Sequence, residues 1–225
     1  MRKLNHKSRF DPYGFLIVMI LVFTPVMSSG QDALKHPETI TVLQALYKGE
    51  TTAHQTYSAF AKRALVEGYI SVARLFAALR SSEAIHARNF KTILDRLNAP
   101  VDDFPQPEIH VSKTKENLKF ALKGELSEID TEYPEYINRI KPEEYKAAIT
   151  DITYAWKAEK QHRDLIKKMK SGIALFFGKI VDELGTADKF FVCQRCGSTL
   201  SKLPKDSCPI CDSPVLMYKE CKFDE

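Results

Sequence analysis

The chain has 225 residues, 44% of them apolar and 28% charged, enough to bury one sizeable core and carry a small second module but not two full domains. Lysine and arginine outnumber the acids by 33 to 29, yet residues 1–30 hold Arg2, Lys3, Lys7 and Arg9 against Asp11 alone, so without that segment the formal charge falls from +4 to +1. A balance so close to neutral argues against a nucleic-acid partner.

Residues 2–9 are basic, Phe15 to Phe23 form an unbroken apolar run, and Pro25 leads into Ser28, Ser29 and Gly30, the three-part layout of an export signal. The run is short for a hydrocarbon core that needs about 20 apolar residues. Residues 1–30 are therefore expected to be a signal peptide cut after Gly30, the alternative being an uncleaved anchor in which residues 15–27 meet the membrane. Either way the rest of the chain is expected to be exported, periplasmic or tethered on the outer side of the cytoplasmic membrane.

From Thr39 to Val66 apolar residues recur at three- and four-residue steps, the helical period, until Glu67-Gly68 stops them. A second helix is predicted from Tyr69 to Leu97, ended by Asn98-Ala99-Pro100. Residues 99–112 contain three prolines and read as an extended connector. Its reach of roughly 46 Å matches a helix of about 28 residues, roughly 42 Å long, so it can run the length of a bundle. A third helix is predicted from Lys113 to Ile140 and a fourth from Pro142, a favoured first-turn residue, to Met169. Four long helices with two short links and one long crossover form a ferritin-like bundle over residues 38–170. Residues 171–189 read as a linker and 190–225 as a cysteine module.

Each helix carries acids suited to a metal site: Glu50 on the first, Glu83-x-x-His86 on the second, Glu125 and Glu128 on the third, and Glu159-x-x-His162 on the fourth. Residues three apart on a helix point the same way, so each pair offers an oxygen and an imidazole to one point. Two such pairs plus a glutamate from each remaining helix are a known ligand set of di-iron and di-manganese bundles. A single Glu-x-x-His is common by chance on a solvated face, but here the arrangement repeats. Glu50 precedes Glu83 by 33 residues and Glu125 precedes Glu159 by 34, with Tyr57 and Tyr133 following at similar offsets. Oxygen donors with only two imidazoles favour iron or manganese over zinc. The subset of Glu50, Glu83, Glu128 and Glu159 that bridges the ions is left open by spacing. His54 shares the face of Glu50 and reads as an ordinary hydrogen-bonded histidine, with a role beside the ligands as the alternative.

All five cysteines lie at or after position 193, a local metal site and not a disulfide framework. Cys193-x-x-Cys196 and Cys208-x-x-Cys211 form two knuckles offering four thiolates, which select iron or zinc about equally. Behind a di-iron bundle the redox-active iron is favoured. Cys221 is left without a role.

Over residues 38–220 the chain resembles the rubrerythrins, on Gly49-Glu50 with Tyr57, Glu83-x-x-His86, Gly124-Glu125 with Glu128, Tyr133-Pro134-Glu135, Glu159-x-x-His162 and the two knuckles. Two differences stand out: Ser198 where an aromatic is usual and Asp212 where a small residue is usual. The resemblance implies a di-iron site held by Glu50, Glu83, His86, Glu125, Glu128, Glu159 and His162, and a rubredoxin-like iron, or zinc, held by Cys193, Cys196, Cys208 and Cys211. It implies a peroxidase that reduces hydrogen peroxide to water in oxidative-stress defence, fed by an electron-donor protein, with Glu128 shifting between metals and Tyr57 and Tyr133 beside the site. It also implies a head-to-tail homodimer in which one subunit's cysteine module approaches the other's di-iron site. The rival readings are a ferroxidase or iron-handling protein, and a non-enzymatic metal-binding protein with zinc in the knuckles.

Overall fold

A computed structural model of the chain describes residues 35–101, 104–105, 108–175 and 189–221. The expected signal or anchor at 1–30 lies outside the described residues, as does 176–188 of the expected linker. Among the described residues no helix is long and apolar enough to cross a membrane.

The helices are α1 (Pro37–Val66), α2 (Ile70–Arg96), α3 (Thr114–Ser127), α4 (Tyr133–Ile140) and α5 (Lys146–Leu175). Gly68, at φ 79°, turns α1 into α2, and the amide of Tyr69 closes the turn on Ala64 O at 2.9 Å. Asn98, at φ 51°, does the same for α2, with Ala99 N donating to Leu94 O at 3.0 Å before Pro100 forbids further helix. The two turns and the long connector give the ferritin-like bundle that the sequence predicts.

Three features differ from expectation. The third predicted helix is interrupted by a π turn at Glu128–Glu132 that joins α3 to α4. Pro134 explains it: proline lacks the amide a helix needs and its ring crowds the carbonyl four residues back, which the wider turn relieves. The Tyr133 amide bonds to Glu128 O, five residues back, and Ile129 O, thereby released, accepts from Trp156 Nε1 at 2.9 Å. The fourth helix begins at Lys146 and not at Pro142, because Pro142 sits in a 3-10 turn and Glu144 then takes a left-handed conformation, φ 52°. It continues to Leu175, into the stretch read as linker.

That 3-10 turn has a task of its own. Glu143 Oε1 and Oε2 accept from the amides of Glu38 and Thr39 at 2.9 and 2.8 Å, capping α1 from across the bundle. Slight burial raises its carboxyl, but the two amides and His36 outweigh that and hold it below the usual carboxylate range. Glu143→Ala is expected to lower the unfolding free energy by about 1 kcal/mol in urea titration at neutral pH. Because the folded value is depressed, the difference should shrink as pH falls through the carboxylate range.

Two apolar clusters fill the bundle, one holding Phe60, Phe76, Leu79, Leu118 and Ile166, the other Leu43, Phe90, Ile93, Ile140 and Ile152. On every long helix the glutamates singled out above fall between the residues of the two clusters. The polar layer is therefore sandwiched in the core.

The cysteine module is a three-stranded antiparallel sheet, β1 (Phe191–Cys193) between β2 (Thr199–Leu200) and β3 (Tyr218–Glu220). Phe190 and Val192 join the first bundle cluster, so the module packs on the bundle through its own core.

Candidate metal centres

Six of the predicted ligands are buried and converge. Glu50, Glu83, His86 and Glu159 bring one donor atom each within 4.8 Å of one another, and so do Glu83, Glu125, Glu159 and His162. Glu83 and Glu159 belong to both groups, so of the four glutamates that spacing left open these two would be placed to contact both ions. His86 Nδ1 lies 3.0 Å from Glu83 Oε2 and from Glu159 Oε1; His162 Nδ1 lies 2.7 Å from Glu159 Oε2 and 3.3 Å from Glu83 Oε1. The internal repeat read from the sequence is thus a local pseudo-twofold: exchanging α1 and α2 for α3 and α5 exchanges the two groups.

Four buried atoms here, Glu83 Oε2, His86 Nδ1, Glu125 Oε2 and Glu159 Oε1, make no well-aligned hydrogen bond, although His86 Nδ1 lies within ion-pair distance of the two oxygens of Glu83 and Glu159. Buried polar atoms left in this way are costly, and these all belong to the convergent groups. The site's electrostatics say the same. Burial, then the charges of neighbouring carboxylates, pushes the Glu125 carboxyl well up, and burial raises Glu50 to about 7 against the pull of His86. Burial would raise Glu159 and lower His162, but their mutual contact outweighs it, holding Glu159 down and His162 up at about 9. Mutually repelling carboxylates around buried atoms without well-aligned hydrogen bonds fit a pair of divalent cations, and the oxygen-rich donor set with one imidazole in each group suits iron.

Tyr57 Oη donates to Glu125 Oε1 at 2.7 Å and Tyr133 Oη to Glu50 Oε1. Both phenols are buried, and burial followed by nearby carboxylate charge raises them well above their ordinary range, so they stay protonated as donors. Each fixes the carboxylate that belongs to one group only.

Glu128, expected among the ligands, is not brought into either group. It opens the π turn, stays half-buried and lines two cavities beside the cluster. Burial first, then the charges of Glu159, Glu50 and Glu83, pushes its carboxyl well up. His54 Nδ1 bonds to Arg80 O at 2.9 Å, the ordinary role expected of it.

Cys193, Cys196, Cys208 and Cys211 bring their sulfurs within 4.8 Å of one another. Each knuckle closes on a left-handed residue, Gly197 at φ 78° and Asp212 at φ 57°, whose amides donate to Cys193 O and Cys208 O at 2.9 and 3.0 Å. Aspartate tolerates that conformation, and Asp212 Oδ1 further accepts from Ser207 Oγ at 2.6 Å.

The module sits on the histidines. His86 Nε2 lies 3.2 Å from Cys196 O and His162 Nε2 lies 3.2 Å from Thr199 Oγ1, so each imidazole turns Nδ1 to the carboxylates and Nε2 to the module. Ser82 Oγ donates to Gly197 O at 2.7 Å, Arg88 to Gln194 O at 2.7 Å and Asn89 to Arg195 O at 2.8 Å. Gln161 Oε1 accepts from Ser198 Oγ and the Thr199 amide, each at 3.0 Å, which accounts for a serine at 198. Sequence reading did not assign Ser82, Arg88, Asn89, Gln161 or Thr199. The available signal was that Ser82, Arg88 and Asn89 flank the first Glu-x-x-His motif and Gln161 lies inside the second.

The profile of the Rubrerythrin family matches residues 41–170. Rubrerythrin-2 of Clostridium acetobutylicum is 30% identical over 183 residues, covering 80% of this chain and 94% of its own length. Nigerythrin of Nitratidesulfovibrio vulgaris is 29% identical over 179 residues, covering 78% and 83%. A solved structure of nigerythrin in a partially reduced state aligns with a TM-score of 0.70 at 30% identity, over 81% of this chain and 86% of that one, and its all-ferrous state gives 0.69 at 28%.

Proposed function

Because this chain belongs to the rubrerythrin family, with a di-iron site in its bundle and a rubredoxin-like iron site in its four cysteines, we propose that it reduces hydrogen peroxide to water with electrons entering through the cysteine module. The observation that carries the reading is the 3.2 Å contact between Cys196 O and His86 Nε2, which joins a ligand of one centre to a ligand of the other through a single hydrogen bond. When bound, the iron pair supplies electrons and Lewis acidity to the peroxide.

The chain's own residues do the rest. Glu83 and Glu159 hold both positions together, Tyr57 and Tyr133 fix the outer carboxylates, and burial by the two apolar clusters keeps bulk water from the ligands. Glu128 stands beside the cluster on the cavity side, placed to move toward it as the charge there changes.

The reading extends to partners and place. An electron-donor protein meets the module, and two copies of the chain form a homodimer; exchange of modules between the copies would remake between subunits the His86–Cys196 contact that the structure shows within one chain. The protein works outside the cytoplasm, where a cytochrome or quinol-linked route supplies the electrons.

An anaerobic titration tests the activity. The reduced protein is mixed with hydrogen peroxide while peroxide loss and the visible absorption of cysteine-bound iron are followed. Return of that absorption in step with peroxide loss is expected. Turnover of excess ferrous iron that proceeds without the module, with the absorption indifferent to peroxide, would instead favour the iron-handling alternative.

A further inference from the structure

Two cavities of very different size open beside the carboxylate cluster, and Glu128 lines both. The smaller, about 40 Å³, lies against Glu50 and Tyr133 and holds little more than a molecule of water size, a match for hydrogen peroxide. The larger, about 420 Å³, is walled by Phe104, Phe120 and Ala121 and reaches Tyr57 and Glu128. That volume falls within the roughly 300–1,000 Å³ of small-molecule sites and is far more than hydrogen peroxide needs.

The glycines at its rim point the same way. Gly49 and Gly124 lie inside α1 and α3, where glycine costs about 1 kcal/mol relative to alanine. A Cβ added at either would meet nothing within 4 Å, so neither close packing nor a turn calls for glycine there. Both line the larger cavity, and what their missing side chains provide is space beside the metal ligands.

We infer that the larger cavity receives the organic group of an alkyl or aryl hydroperoxide, so that the chain reduces organic hydroperoxides as well as hydrogen peroxide. The inference rests on the peroxidase reading above. The hydroperoxide end lies toward Glu128 and the Tyr57 side, and the organic group packs against Phe104 and Phe120. In the reaction the O–O bond breaks, the protein's reduced iron centres give up two electrons, two protons are taken from solvent, and an alcohol and water leave. The donor protein that feeds the cysteine module restores the electrons.

The test uses 2-phenyl-2-propanol, the inert alcohol that reduction of cumene hydroperoxide would produce. Its binding to the metal-loaded full chain is measured by saturation-transfer NMR, and turnover of cumene hydroperoxide and hydrogen peroxide is measured alongside. Saturable binding is expected, weakened about tenfold or more by Gly124→Leu, which extends into the cavity from a position whose added Cβ meets nothing within 4 Å. That variant should melt no lower than the parent, since leucine is the better helix former. It should lose cumene hydroperoxide turnover preferentially.

Absence of alcohol binding, or equal binding by Gly124→Leu, with hydrogen peroxide still consumed, overturns the inference and leaves the peroxidase reading standing. Alcohol binding with neither peroxide reduced overturns the peroxidase reading and the inference with it.

Discussion

Gly197→Ala is expected to uncouple the two metal centres. A Cβ at this position would lie 2.3 Å from His86 Nε2 and 2.6 Å from Ser82 Oγ, closer than real side chains approach, and His86 is buried and held on its other side by Glu83 and Glu159. Gly197 also sits at φ 78°, where alanine costs roughly 1–2 kcal/mol. The module must lift from the bundle, breaking the contacts from Ser82 to Gly197 O and from His86 to Cys196 O. Reoxidation of the cysteine-bound iron by peroxide should slow on the order of 100-fold, the scale of a small misplacement at a reacting site. The visible absorption of that iron and the first oxidation of the bundle centre should survive, since neither set of ligands includes residue 197. An unchanged relay rate would mean that the docked contact carries no electrons.

Glu83→Gln should empty the bundle of metal while stabilising the metal-free chain. Glu83 belongs to both ligand groups, and its buried Oε2 makes no well-aligned hydrogen bond. Its charge is among the causes that push Glu50 and Glu125 upward; it also pairs with His86 and His162, but the four convergent carboxylates outnumber the two imidazoles, so a neutral amide of the same size relieves a net buried repulsion. Metal content should fall from about three ions per chain to about one, retained by the cysteines. Without metal, the variant should unfold at higher urea concentration, by about 1–2 kcal/mol. A residue serving only to pack the core would lose stability in both states. The opposite signs with and without metal therefore identify a ligand.

Much of this was legible in the sequence because it is local. Helical periodicity placed α1 and α2 to within a few residues; the two Glu-x-x-His motifs, whose residues three apart share a face, with the matching offsets to Glu50 and Glu125, found six buried and convergent residues. The π turn was invisible to periodicity: the apolar pattern runs on through Pro134, and only the backbone shows the Tyr133 amide reaching Glu128 O. The true start of α5 was missed because Pro142 suits a first helical turn and equally a 3-10 turn, a choice tied to Glu143 capping α1 more than a hundred residues earlier. The seating of the module on His86 and His162 depends on contacts such as Ser82 with Gly197, which no spacing rule connects. Glu128 shares the predicted helix face of Glu125 yet stays out of both groups, and it opens the π turn, which periodicity does not show.

The most direct test of electron passage across the Cys196–His86 contact is a stopped-flow measurement. The fully reduced protein is mixed with hydrogen peroxide at several protein concentrations, and return of the cysteine-bound iron absorption is timed. A single fast phase whose rate constant does not change with protein concentration is expected, because the two centres are already in contact when peroxide arrives. A rate that rises in proportion to protein concentration, or an absorption that peroxide leaves bleached, would contradict a built-in relay.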